Sequence, residues 1–131
     1  MLDPGGRVED DVDLYRLVNP DGGAVWDDDE NRWKVSSAAF QNTSKTDRMS
    51  VVLGDTLDRM GRPPEDARAT RPEWYVVALR AGFVRSEQQE IERAPMPEER
   101  AHGNVIGEKR KACRRALAQA ARWIVPPPSP P

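Results

Sequence analysis

The chain has 131 residues, a length that fits one domain able to bury a core without a metal or a disulfide. With 37% hydrophobic, 6% aromatic and 32% charged residues, that core is modest and much of the chain is solvated surface or loop. No apolar run approaches the roughly 20 residues that span a bilayer, and the net charge of −2 hides a segregation: residues 1–30 carry ten acids against Arg7 and Arg16, whereas residues 100–131 carry seven basic residues against Glu108. Opposite charge at the two ends points to their mutual attraction or to charged partners.

Residues 1–11, with Pro, two Gly and an acidic run, read as a flexible acidic leader. They contain no apolar stretch of the Sec type. "VDLYRLV" reads as a first strand. Asn19-Pro20-Asp21-Gly22-Gly23 is a turn, since Pro presets φ and Gly permits φ > 0. "AVWD" is then a short return strand in a hairpin with the first, ended by the like charges of Asp27–Glu30. "RWKVSSAAF" alternates as a further strand, and "QNTSKTDR" is loop. "MSVVL" is a strand leading into a short helix capped by Asp55 and ended at Gly61. "RPPEDARATRPE" is a polar linker. "WYVVAL" reads as a central strand, followed by helical turns in "AGFVRSEQQ" and a short strand in "EIERAP". Pro95 and Pro97 break regular structure, and "GNVIG" is a last strand or a tight entry loop. "EKRKACRRALAQAARWIV" is the best-marked helix: Ala112, Cys113, Ala116, Leu117, Ala120, Trp123 and Ile124 recur at three-to-four spacing, and Pro126 stops it. The tail "PPPSPP" is extended and projects. The organisation expected is a leader 1–11, one domain 12–125 and a Pro-rich tail 126–131. The fold class is α+β, a small, mostly antiparallel sheet packed by the C-terminal helix and one shorter helix.

Chemistry-bearing residues are sparse. His102 is the only histidine and Cys113, eleven residues on, the only cysteine. A zinc site of usual spacing is therefore absent and no metal or cofactor is expected. A single cysteine makes no internal disulfide, which fits a cytoplasmic location. Cys113 falls on the apolar stripe of its helix and reads as a core thiol. "GNVIGEKRK" lacks the Ser or Thr of a phosphate loop, and Glu108 follows Gly107 where the lysine belongs. A simpler anion site at the helix start, with backbone N–H groups and Lys109, remains open. Lys109, Arg110, Lys111, Arg114 and Arg115, with Arg122, form a basic surface that is either solvated or a grip for nucleic-acid phosphates. Ser36 and Ser37 lie outside the G-x-S-x-G context of a hydrolase. Arg16 sits inside an apolar strand, so its guanidinium requires a carboxylate or a bound anion. An Arg and a Ser on neighbouring strands, here Arg16 and Ser36 or Ser37, resemble a feature of ADP-ribosyl-transferring folds, but the match is two residues deep and no certain catalytic glutamate follows.

The segments Leu14–Arg16, Ser36–Phe40 and Ala101–Lys109 resemble those of a group of small uncharacterised bacterial proteins, sharing L-Y-R, S-S-x-A-F and A-H-x-x-[VI]-x-G-[KE]-K stretches before an Ala/Arg-rich helix. The resemblance implies a compact domain and transfers no activity. The leading functional expectation is a non-catalytic accessory or interaction module of a bacterial multiprotein system, such as a defence or toxin-type cassette, with a protein partner and no membrane contact. Two rivals stand beside it: a small enzyme or anion-binding or nucleotide-binding domain using Arg16, Ser37 and His102, and a nucleic-acid binder acting through the basic C-terminal helix. An enzyme should gather Arg16, Ser36 or Ser37, and His102 into one pocket; a module should scatter them.

Overall fold

A computed structural model describes residues 6–131. Strands β1 (Asp13–Val18), β4 (Arg48–Leu53), β5 (Tyr75–Arg80), β6 (Glu90–Arg93), β7 (His102–Ile106) and β8 (Arg122–Val125) form one six-stranded sheet. Its order is β6-β7-β4-β1-β5-β8, with every neighbouring pair antiparallel. Strands β2 (Ala24–Asp27) and β3 (Arg32–Val35) form a separate two-stranded ribbon. The helices are α1 (Gly54–Arg59), α2 (Ala81–Ser86) and α3 (Lys111–Ala120). The architecture is α+β, as composition and patterning predict.

Helical elements cover both sheet faces. Leu14, Val18, Met49, Val51, Leu53, Val77, Leu79 and Val105 point to one side, where they meet Phe40, Val84 of α2 and Leu117 of α3. Tyr15, Val52, Val76 and Ala78 point to the other, under Leu57 of α1 and Ala67. Strand β5 is therefore buried on both faces, which is why "YVVAL" reads as an unbroken apolar run. The "RPPEDARATRPE" segment is more than a linker: its 3-10 turn at Pro64–Arg68 supplies the buried Ala67.

Several local expectations change. β1 does not form a hairpin with "AVWD"; all six of its residues pair with β5, and it also pairs with β4. The reason is burial: β5 offers an apolar surface on both faces, whereas β2 is partly exposed. At Gly23 the N–H reaches the Asn19 carbonyl at 2.9 Å. A Cβ there would lie 2.5 Å from the Val18 side chain and 2.4 Å from the Asn19 carbonyl oxygen, so the turn needs glycine for close approach. Of the acidic run, Asp27 ends β2 opposite Arg32, and Asp28–Glu30 with Asn31 form the loop of the β2–β3 hairpin. Asp27 accepts the N–H groups of Asp29 and Glu30 at 2.9 and 3.1 Å and is paired with Lys34. The Lys34 bond and these two N–H groups together hold its carboxyl down to about 2. "RWKVSSAAF" leaves the strand after Val35, because the Ser36 hydroxyl accepts the Ala38 N–H at 3.2 Å and caps a 3-10 turn, Ser37–Phe40. Helix α1 begins at Gly54, so Asp55 is in its first turn rather than at its cap.

The largest change is at the C-terminus. Helix α3 ends at Ala120; Ala121 is extended and Arg122–Val125 is the edge strand β8. Trp123 pairs with Val77, packs edge-on against Tyr75 at 6.4 Å and donates its indole N–H to the Trp33 carbonyl at 3.1 Å. The tail folds back over this region. Pro127 is buried, and the Ser129 carbonyl accepts the Trp33 indole N–H at 3.1 Å. Of the flexible leader expected over residues 1–11, residues 1–5 lie outside the described residues. Residues 6–11 pack on the fold, with Val8 buried and its carbonyl accepting a bond from Arg85.

Two ionic clamps tie loops to the sheet. Arg93 on β6 makes a two-pronged pair with Asp55 at 2.7 and 3.1 Å and also reaches the Thr56 hydroxyl at 3.2 Å. Arg62 makes the same kind of pair with Glu99 at 2.7 and 2.8 Å, and its Nε meets Asp66 at 2.9 Å. Planar guanidinium–carboxylate forks are the strong form of the ion pair.

Candidate functional site

Arg16, Ser37 and His102 do not share a pocket. Arg16 alternates with Leu14 and Val18 and so projects to the α3 side of the sheet. Its guanidinium meets no carboxylate among the described residues. It donates to the main-chain carbonyls of Ser50 at 2.8 Å, Ala39 at 2.9 Å and Gln41 at 3.5 Å, which corrects the expected acidic partner. Burial holds its pKa down to about 10. A main-chain carbonyl is a neutral acceptor, so the charge is bonded but not compensated.

Ser37 opens the 3-10 turn on that same side. His102 lies opposite Val52 on β4, and Val52 belongs to the cluster under α1. Directly paired residues share a face, so His102 faces away from Arg16. Its Nδ1 lies 2.8 Å from the Ala94 carbonyl, where it steadies the β6–β7 edge.

The basic residues of the C-terminal segment also divide. Lys109 is buried and spends all three ammonium donors inside the fold, on the Asn42 side chain and on the carbonyls of Val105 and Gly107 at 3.1 and 3.0 Å. The Asn42 amide donates to the same Gly107 carbonyl at 3.0 Å. Gly107 holds this carbonyl in place with a φ of +148°, and a Cβ there would meet the Gln89 side chain at 2.8 Å. Burial pushes the Lys109 pKa down to about 8, with a further lowering from Arg16. Arg110 is exposed and pairs with Glu108 at 3.1 Å. Lys111 and Arg115 are exposed on α3. Arg122 has left the helix for β8, where it joins Arg80 on Asp13. That contact is where the acidic first part of the chain meets its basic end; Asp10, Asp27 and Glu30 pair with Arg85, Lys34 and Arg32 instead.

Arg114 differs from these. Its Nε is buried with no hydrogen-bond partner, and its guanidinium bonds to none of the described residues. A buried donor left unmade costs about 1–3 kcal/mol, more when it carries charge. Arg114 lines an open cleft of about 490 Å³. Gln41, Asn42, Thr46 and Asp47 form one wall, and Glu108, Lys109 and Arg114 the other.

A second cleft of about 430 Å³ lies on the other side of Glu108, between Ser86–Gln88 and the start of α3. Cys113 lines it. That thiol is half-buried rather than enclosed, packs against the core, and has its pKa raised by burial. Among the described residues, no group of three or more His, Cys, Asp or Glu side chains is placed to hold a metal ion.

Asn42 had no signal in the sequence, because a polar residue in a polar loop looks like any other. Its role comes from Lys109, 67 residues away. Gln89, buried with its amide on the Glu108 carbonyl at 3.0 Å, was equally silent.

Comparison with protein-family models, curated proteins and solved structures gives no match. The resemblance carried by Leu14–Arg16, Ser36–Phe40 and Ala101–Lys109 therefore rests on those segments alone. No helix among the described residues is long and apolar enough to cross a membrane.

Proposed function

We propose that the chain is a non-catalytic interaction module, an accessory subunit of a bacterial multiprotein system such as a defence or toxin-type cassette. The observation that carries this reading is the separation of Arg16 and His102 across the sheet, with both side chains already bonded to main-chain carbonyls. A nucleophile and its base must lie within hydrogen-bond reach of each other and of one substrate. A pair divided by the sheet does not meet that requirement. In this reading these residues fix main-chain segments of the fold rather than contact the partner, and the clamps at Asp55 and Glu99 keep the fold rigid.

The test is purification of the tagged chain at native copy number from the cells that encode it, followed by size-exclusion chromatography with light scattering. The chain should elute in a complex of fixed stoichiometry, and the Ser37→Ala/His102→Gln variant should elute in the same complex. Elution of the wild-type chain alone overturns the proposal.

A further inference from the structure

Two cations, Lys109 and Arg114, line the cleft between the 41–47 loop and α3, a third, Arg16, lies behind Gln41, and none of the three bonds to a carboxylate among the described residues. Arg16 grips the Gln41 carbonyl and Lys109 grips the Asn42 side chain, so two of them bracket one dipeptide. Arg114 enters from α3 with its Nε buried and unpartnered. The two acids on the rim are engaged elsewhere: Asp47 with Arg48 at 3.0 Å, and Glu108 with Arg110 at 3.1 Å. Arg114 is thus the one member of the trio whose guanidinium has no acceptor among the described residues. Arg114 lies in the first turn of α3, at the positive end of its dipole, and Arg110 provides no side-chain cap there.

We propose that this cleft binds a phosphoryl group, with Arg114 as the direct ligand and Lys109 and Arg16 as fixed charges behind it. The charge selects the class. A carboxylate would offset one of three uncompensated cations, whereas a phosphate ester brings about −1.5 to −2 and three acceptor oxygens. The guanidinium fork matches such oxygens in pairs. The exposed amide of Gln41 is a further donor on the opposite wall. The volume of the cleft exceeds that of a bare phosphate, so the group is carried on a larger molecule. That molecule is either a free phosphate ester or a phosphorylated segment of a partner.

Inorganic phosphate is the first probe, titrated into the whole chain at constant ionic strength and followed by amide chemical shifts and thermal unfolding, with acetate as control. Phosphate should produce saturable shifts in residues 41–47 and 107–114 with a Kd below about 10 mM, and acetate should not. Arg114→Gln should weaken phosphate binding by roughly tenfold or more, as loss of a charge-assisted fork requires. Arg115→Gln, at the exposed neighbouring position, should bind as the wild type does. Arg114→Lys keeps the charge without the fork and should fall between them, which provides a test if the glutamine variant does not fold. Ribose 5-phosphate and a phosphoserine peptide are then compared. Tighter binding of the first identifies a free phosphate ester, and of the second a phosphorylated partner segment; either supports the site. An equal response to acetate, or undiminished binding by Arg114→Gln, overturns it, whether or not the chain assembles with a partner.

Discussion

Arg62→Ala should be among the most damaging single substitutions outside the apolar core. The Glu99 side chain is only 6% exposed, and Arg62 supplies two of its three hydrogen bonds; the third comes from the Ala101 N–H at 3.1 Å. Removing Arg62 leaves a buried carboxylate with one backbone donor. Breaking a buried pair from one side costs about 3–5 kcal/mol. Because Arg62 is one-fifth exposed and the Ala101 N–H remains, the low end applies, about 3 kcal/mol. Asp66 is nearly half exposed, so its own bond to Arg62 adds little. For a chain of this length the loss corresponds to a fall in Tm of roughly 10 °C. The damage should extend into the sheet, since the Ala101 carbonyl accepts the Leu53 N–H at 2.7 Å and places β7 beside β4.

Urea unfolding followed by circular dichroism measures this, with Arg59→Ala, exposed on α1, as the control. Glu99→Gln should cost less, about 1–2 kcal/mol, because it removes the charge and not the packing. The double variant Arg62→Ala/Glu99→Gln should be more stable than the sum of its parts implies. The pH dependence has a definite sign. Burial pushes the Glu99 carboxyl up, but Arg62 and the Ala101 N–H outweigh it and hold the folded-state pKa below 4.5. The clamp therefore contributes fully above about pH 4.5 and is lost as pH falls through the folded value. The stability gap between wild type and Glu99→Gln should narrow over that acid range. An Arg62→Ala midpoint equal to that of Arg59→Ala would refute the reasoning.

Two further outcomes are expected. Cys113 is half-buried and its thiol is held protonated by burial, so a disulfide reagent should label the native protein more slowly than a free cysteine peptide; equal rates would show that the α3 stripe opens readily. Duplex DNA should bind no tighter than about 10⁻⁴ M at physiological salt, because Lys109 is buried, Arg110 is paired and Arg122 lies on β8; a salt-sensitive micromolar affinity in fluorescence anisotropy, abolished by Arg114→Glu/Arg115→Glu, would restore the nucleic-acid reading.

Short-range physics was legible from the residues themselves. The Asn19–Gly23 turn, the like charges ending β2, the double-sided burial of "YVVAL" and the helical spacing around Leu117 each depend on neighbours within a few positions. What depended on distant partners was not. Trp123 and Ile124 continue the three-to-four spacing of α3, and only the open edge of β5 draws them into a strand that places them in clusters on opposite faces of the sheet. Strand β1 was adjacent in sequence to β2 but gained more burial between β4 and β5. Arg16 visibly needed a partner, yet the carbonyls it found belong to segments 23 to 34 residues away. The cleft is the extreme case. Its walls come from the 41–47 loop and from residues 108–114, and neither segment holds a motif, because the property that matters, Lys109 and Arg114 in one cleft with Arg16 behind Gln41, exists only once the chain has brought them together.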